Sequence, residues 1–184
     1  MLVGLLLLTT LLTLGALSIP TIHVGCGSAP ALSEMKQLHL ATQQMVLDGV
    51  TTGTPSSDWT SYKGKPLTYE QWRSLLIEGN YLTPQDFAKL TTLADNGGWF
   101  GSHKAVPNAI TVFAVCENDA GTTLLFATKN WHGLDAKSLS GAPYETRGFA
   151  VFRKEGSGAI LRNSQCQRAD LIGSGGKFNY LPLQ

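Results

Sequence analysis

No residue in 1–33 carries a charge, and residues 2–22 are almost wholly apolar; the first ionised side chain is Glu34. A stretch this apolar cannot rest in water. It enters a bilayer, docks into another hydrophobic body or is removed. A helix rises about 1.5 Å per residue, so about 20 residues cross a ~30 Å hydrocarbon core, and residues 2–22 are just long enough. Thr9, Thr10, Thr13 and Ser18 are tolerated there because a hydroxyl bonds back to a carbonyl one turn earlier. Pro20 kinks or stops the helix.

Two other fates compete with a retained membrane helix. A cleavable secretory signal opens with Lys or Arg, yet the first basic residue is Lys36. A lipoprotein signal places a small residue before a Cys, and Val24, Gly25 and Cys26 have that form, with His23 where an aliphatic residue is usual. The alternative reading is therefore a protein lipid-anchored through Cys26.

The remaining residues have the size of one ordinary core. A net charge of +1 offers no basic field, so nucleic acid is not an expected partner. With three cysteines there is no disulfide scaffold. Cys116 and Cys166 either pair in an exported domain or stay as two separate thiols, and spacing does not choose between them.

After the Gly/Pro-rich residues 25–30 a helical period begins. Leu32, Met35, Leu38, Thr42, Met45 and Val46 share one face, Ser33, Glu34, Lys36, Gln37, Gln43 and Gln44 the other. Asp48 and Gly49 read as its stop. Residues 49–65 are rich in Thr, Ser, Gly and Pro and read as a surface loop. A second helix is expected from Tyr69 to about Glu78, with Thr68 as N-cap and Trp72, Leu75 and Leu76 inward. A third starts at Thr83 and Pro84, with Phe87, Leu90 and Leu93 or Ala94 buried, and stops at residues 96–98. Trp59, Trp72 and Phe87 read as packing anchors.

Residues 109–115 and 122–128 are two β-rich runs separated by a hairpin-like loop at 117–121. Residues 148–152 and 159–161 form a second pair across 154–158. The expected class is α+β: two short helices and an amphipathic helix packed on an antiparallel sheet of about four strands. The organisation is a hydrophobic membrane helix over 1–24, a junction and amphipathic helix over 25–48, and a globular α+β domain over 49–184.

Residues 2–22, with Ile19 and Pro20 near their end, resemble the N-terminal helix of type IV pilin-like proteins and type II secretion pseudopilins. Residues 32–45 resemble the helix that follows it, and the 148–158 hairpin is similar to those of pseudopilin-like sheet domains. Gly4 stands where the family carries Glu, and no basic leader precedes the apolar segment. The resemblance implies a single-pass protein of the bacterial inner membrane whose globular domain is periplasmic or extracellular. It further implies that the partners are the membrane and other pilin-like subunits, which meet through the N-terminal helix in a secretion or pilus-type filament. Thr9, Thr10, Thr13, Gly15, Ala16 and Ser18 would allow close helix approach, although small residues occur in membrane helices generally. Family members often bind calcium with oxygen ligands in a sheet-domain loop. Calcium therefore stays open for this chain, with no ligand set assigned, and no other cofactor is expected.

No catalytic constellation is legible, so no enzyme is expected. His23, His39, His103 and His132 lack zinc-site spacing, and His39 reads as a partly buried core residue. Residues 129–132 (Lys, Asn, Trp, His) serve as a ligand patch or cap a sheet edge. In the lipoprotein reading that region and the sheet form an interaction surface. Residues 173–177 are too short for a phosphate loop and lack the following Ser or Thr. Residues 101–103 are not a nucleophile elbow. Asp58, Asp95, Asp119 and Glu145 are scattered carboxylates. A tethered enzyme ranks last.

Overall fold

The computed structural model describes residues 29–52, 58–95 and 104–184. The apolar segment over 1–24, Cys26, His23 and His103 lie outside the described residues. Among those described, no helix is long and apolar enough to cross a membrane.

The first helix, α1, is Ala29–Thr52. Pro30 fits its first turn, where no intrahelical N–H bond is required. Ala31, Met35, Leu38, Thr42, Met45 and Gly49 recur at steps of three and four and are all buried. The helix does not stop at Asp48 and Gly49 as the sequence suggested. Gly49 is buried as a helical residue, and the hydroxyls of Thr51 and Thr52 donate to the Asp48 carbonyl at 3.0 and 2.7 Å.

Residues 58–66, expected as surface loop, are partly inside. Trp59, Thr60 and Ser61 are buried, and strands β1 (Ser61–Tyr62) and β2 (Lys65–Pro66) form a tight hairpin. Thr60 explains the burial: its hydroxyl donates to Phe113 O at 2.6 Å and accepts from Val115 N at 2.7 Å. Helix α2 (Tyr69–Glu78) begins with a capping box between Thr68 and Gln71. Helix α3 (Pro84–Leu90) is capped by Thr83. It is shorter than expected. The hydroxyls of Thr91 and Thr92 bond the Phe87 and Ala88 carbonyls, and Leu93 is buried from a strand, not from a helix. That strand, β3 (Leu93–Asp95), pairs with β4 (Lys104–Val106).

The main sheet is an antiparallel meander of β5 (Ile110–Val112), β6 (Leu124–Thr128), β7 (Phe149–Arg153) and β8 (Gly158–Leu161). The fold is therefore α+β, with helices first and a four-stranded sheet after. Helix α1 crosses β7 and β8 closely. A Cβ added at Gly158 would lie 2.8 Å from Leu32 Cδ2 and 2.8 Å from Phe152 Cδ2, so only glycine admits the helix there.

The sheet is buried on both faces, which the expected single helical layer did not require. On one side α1, α2 and α3 enclose Trp72, Phe126 and Phe152. On the other, Trp131, Leu139 and Ile172 cover Phe149 and Val151. All five residues of β6 are consequently buried, giving a continuous apolar run instead of alternation. Asn130 draws the long β6–β7 connection onto this second face by donating to Glu145 O at 2.9 Å and Gly148 O at 2.8 Å. The outer edge of β5 is closed by residues 181–183: Ala114 N donates to Leu181 O and Leu183 N to Val112 O, each at 2.8 Å. Pro182, which has no N–H, sits at an outer position of that ladder opposite Phe113.

Two leucines two residues apart on α1 mark opposite faces of the helix: Leu38 is fully buried and Leu40 is 52% exposed. Leu38→Ala should cost about 2–5 kcal/mol and Leu40→Ala within about 0.5 kcal/mol, read by urea denaturation. Equal losses would contradict this packing.

Candidate functional site

In a meander the β5–β6 and β7–β8 turns emerge from the same end of the sheet. The first carries Glu117 and Asp119, and the second carries Lys154 followed by Glu155. The segment at Asp58 and Trp59, and His39 from α1, close over that end.

Lys154 is the centre of the cluster. Its ammonium donates to the Glu117 carbonyl and, at 2.9 Å, to the Asp119 carbonyl, and lies 5.5 Å from the centre of the Trp59 ring. Its own carbonyl accepts from His39 Nε2 at 2.7 Å. A carbonyl has no proton to give, so His39 carries its proton on Nε2. The imidazole packs 5.5 Å from Trp59 and 5.4 Å from Phe152, and burial lowers its pKa below the usual histidine value against the opposing pull of the Lys154 carbonyl.

The carboxylates here hold backbone and indole N–H groups. Asp58 accepts from Glu117 N, and Trp59 Nε1 donates to Glu117 Oε2 at 2.7 Å. Asp119 accepts from Cys116 N and Lys177 N, both at 2.7 Å. Burial raises the Asp58 pKa, the Glu117 backbone bond lowers it, and the charges of Glu117 and Asp119 raise it while Lys154 lowers it. The arrangement ties five chain segments together, at His39, Asp58 and Trp59, residues 116–119, Lys154 and Lys177. It brings no nucleophile to a base, and among the described residues no group of three or more His, Cys, Asp or Glu could hold a metal ion.

The other sequence candidates fall elsewhere. Asp95 pairs with Arg147 at 3.3 Å, and Glu145 is exposed in a left-handed turn at φ 50°. Residues 129–132 do not form a surface patch. Asn130 and Trp131 are buried; the Trp131 indole stacks on Phe149 at 6.0 Å and donates to Cys166 O at 2.9 Å. Only Lys129 and His132 reach solvent. Cys116 and Cys166 are free thiols, each buried in its own surroundings: Cys116 Sγ lies 3.4 Å from Ser61 Oγ, and Cys166 Sγ 3.4 Å from Ala136 O. The pairing left open between them is not made. Residues 173–177 bind no phosphate-like cradle; Ser174 pairs with the start of β6, and the Lys177 N–H is taken by Asp119.

Lys154 and Glu117 were not singled out from sequence. The available signal was a lysine in one turn and two carboxylates in another that a meander must place at the same end. Compared with known proteins, the chain matches no protein-family model, no curated protein and no solved structure.

Lys154→Met keeps the stem of the side chain and removes the ammonium. It should cost about 1 kcal/mol, the net worth of hydrogen bonds to carbonyls that water can partly reach. Trp59 loses a nearby charge, so its fluorescence should shift in the still-folded variant. A variant as stable as the parent would show that the ammonium does not organise this end.

Proposed function

We propose that this chain is a membrane-anchored, pilin-like subunit without catalytic activity, held in the bacterial inner membrane by residues 1–24 and assembling through its N-terminal helix. The observation that carries this reading is the solvent face of α1. Leu40, Leu47 and Val50 are 52%, 51% and 75% exposed. With Lys36 and Gln43 they follow a heptad seam, spaced four, three, four and three residues apart, opposite the face that packs on the sheet. A helix with one face fixed in its own domain and three exposed apolar residues aligned on the other is suited to meet further helices.

The uncharged residues 1–33 support the same reading, since they lead directly into this helix. Lipid and a packed helix bundle both exclude water, so one apolar surface serves before and after assembly. The motif at Val24, Gly25 and Cys26 favours a second reading, a lipid-anchored protein of the periplasm.

Full-length protein should remain with membranes after an alkaline carbonate wash, with residues 2–22 present and Cys26 unmodified by mass spectrometry. Leu11→Arg, at a cost of about 2.5–3.5 kcal/mol in mid-membrane, should release it. Acylated Cys26 at a new N-terminus would support the lipoprotein instead, and a soluble product starting downstream of residue 22 would sink both. Leu40→Glu with Leu47→Glu should leave the fold intact yet abolish chemical cross-linking between copies in the membrane. Unchanged cross-linking would remove the seam from the assembly.

A further inference from the structure

Glu34 is the first charged residue of the chain, and it lies on the inner margin of α1. Ala31 and Met35 beside it, and Leu38 one turn on, are fully buried against the domain. Its Oε2 is sealed from solvent and accepts no hydrogen bond. An ionised carboxylate oxygen in that position costs far more than a protonated carboxyl does.

The groups around Glu34 do not compensate it. From α3 comes Lys89, whose charge lowers the Glu34 pKa but by less than burial raises it, leaving the group pushed up to about 7. From the β6–β7 connection comes Tyr144, buried in the same core, its hydroxyl pushed up to about 12 by burial and then by the Glu34 charge. Arg147, three residues further, is turned away to Asp95. The β7 and β8 residues beneath α1 carry no charge apart from Arg153, which bonds Ser157 and the Leu171 carbonyl.

We infer that the seating of the first half of α1 on the domain is coupled to a proton on Glu34: the protonated carboxyl stays in the seam, and the ionised one loosens it. The inference does not depend on the membrane reading. The sign follows from proton linkage. The seated state holds the proton between the ordinary carboxyl value of 4.5 and about 7, where the released state does not. Seating therefore weakens as pH rises through that window and levels off above it. His39, on the same helix, acts in the opposite sense because burial lowers its pKa, so the two are separated by comparing variants and not by the total profile.

The test is native-state amide exchange of the full chain in detergent micelles, corrected for the intrinsic pH dependence of exchange. Over residues 31–40, protection should fall roughly tenfold between pH 5 and pH 8. In Glu34→Gln, which stays neutral, it should remain near the pH 5 level throughout. Coincident profiles for parent and variant would overturn the inference. So would a variant poorly protected at every pH, since Glu34 would then be a structural acceptor. Independently of any variant, the Glu34 carboxyl carbon should titrate near neutrality by NMR; a midpoint near 4.5 would also overturn it.

Discussion

The close approach of α1 to β7 and β8 is the contact on which the remaining structure depends. It requires Gly158, because Leu32 occupies the space a side chain there would take. About two turns further along the helix, His39 reaches the carbonyl of Lys154 in the adjoining turn. These two points set the height and direction of the helix over the sheet. Its apolar face, Met35, Leu38, Thr42 and Met45, then meets Trp72 of α2 and Phe126 and Phe152 of the sheet in one core. Moving the helix outward would open that core on every side, and the lost burial, about 25 cal/mol per Å², falls on the largest side chains in the molecule.

The same turn that receives His39 also projects Lys154 into the β5–β6 loop. Helix position and loop position are thus coupled through one residue, by its carbonyl on one side and its ammonium on the other. The opposite face of the sheet is closed differently. Only the one-turn helix Ala169–Ile172 reaches it among the described residues, through Ile172; Asn130 folds the β6–β7 connection down, and Trp131 fills the space over Phe149. Closing β5 with residues 181–183 covers an edge that would otherwise present open hydrogen-bonding groups.

Local chemistry made much of this legible. Thr68 and Thr83 announce helix starts because a side-chain oxygen before an apolar period has one recurrent use, and both cap as expected. The four strands follow from β-branched and aromatic runs separated by turn residues. What stayed hidden depends on distant partners. Gly49 reads as a stop because glycine usually is one, yet it is a buried residue of α1, three residues short of the helix end. Leu93 fits a helical period, yet Thr91 and Thr92 turn their hydroxyls back on the last carbonyls, and the chain leaves as β3. Thr60 looks like loop composition; its burial follows from Phe113 and Val115, more than fifty residues away. Glu117 and Lys154 are distant in sequence and meet only because the meander returns both turns to one end.

The two faces of α1 answer to different requirements. The inner residues cannot be recruited by any partner without dismantling the core, since Ala31, Met35 and Leu38 have no exposed surface left. Leu40, Leu47 and Val50 make no comparable demand on the domain, so covering them removes apolar surface from water with no packing given up in exchange. Association through that line is therefore additive with folding, not competitive with it. Glu34 lies on neither face but on the margin between them, where its carboxyl is half enclosed by Tyr144 and the start of the helix. A charge at that margin acts on how the first turns of α1 seat on the domain and leaves Leu40, Leu47 and Val50 untouched, so the inner packing and the outer line rest on separate side chains.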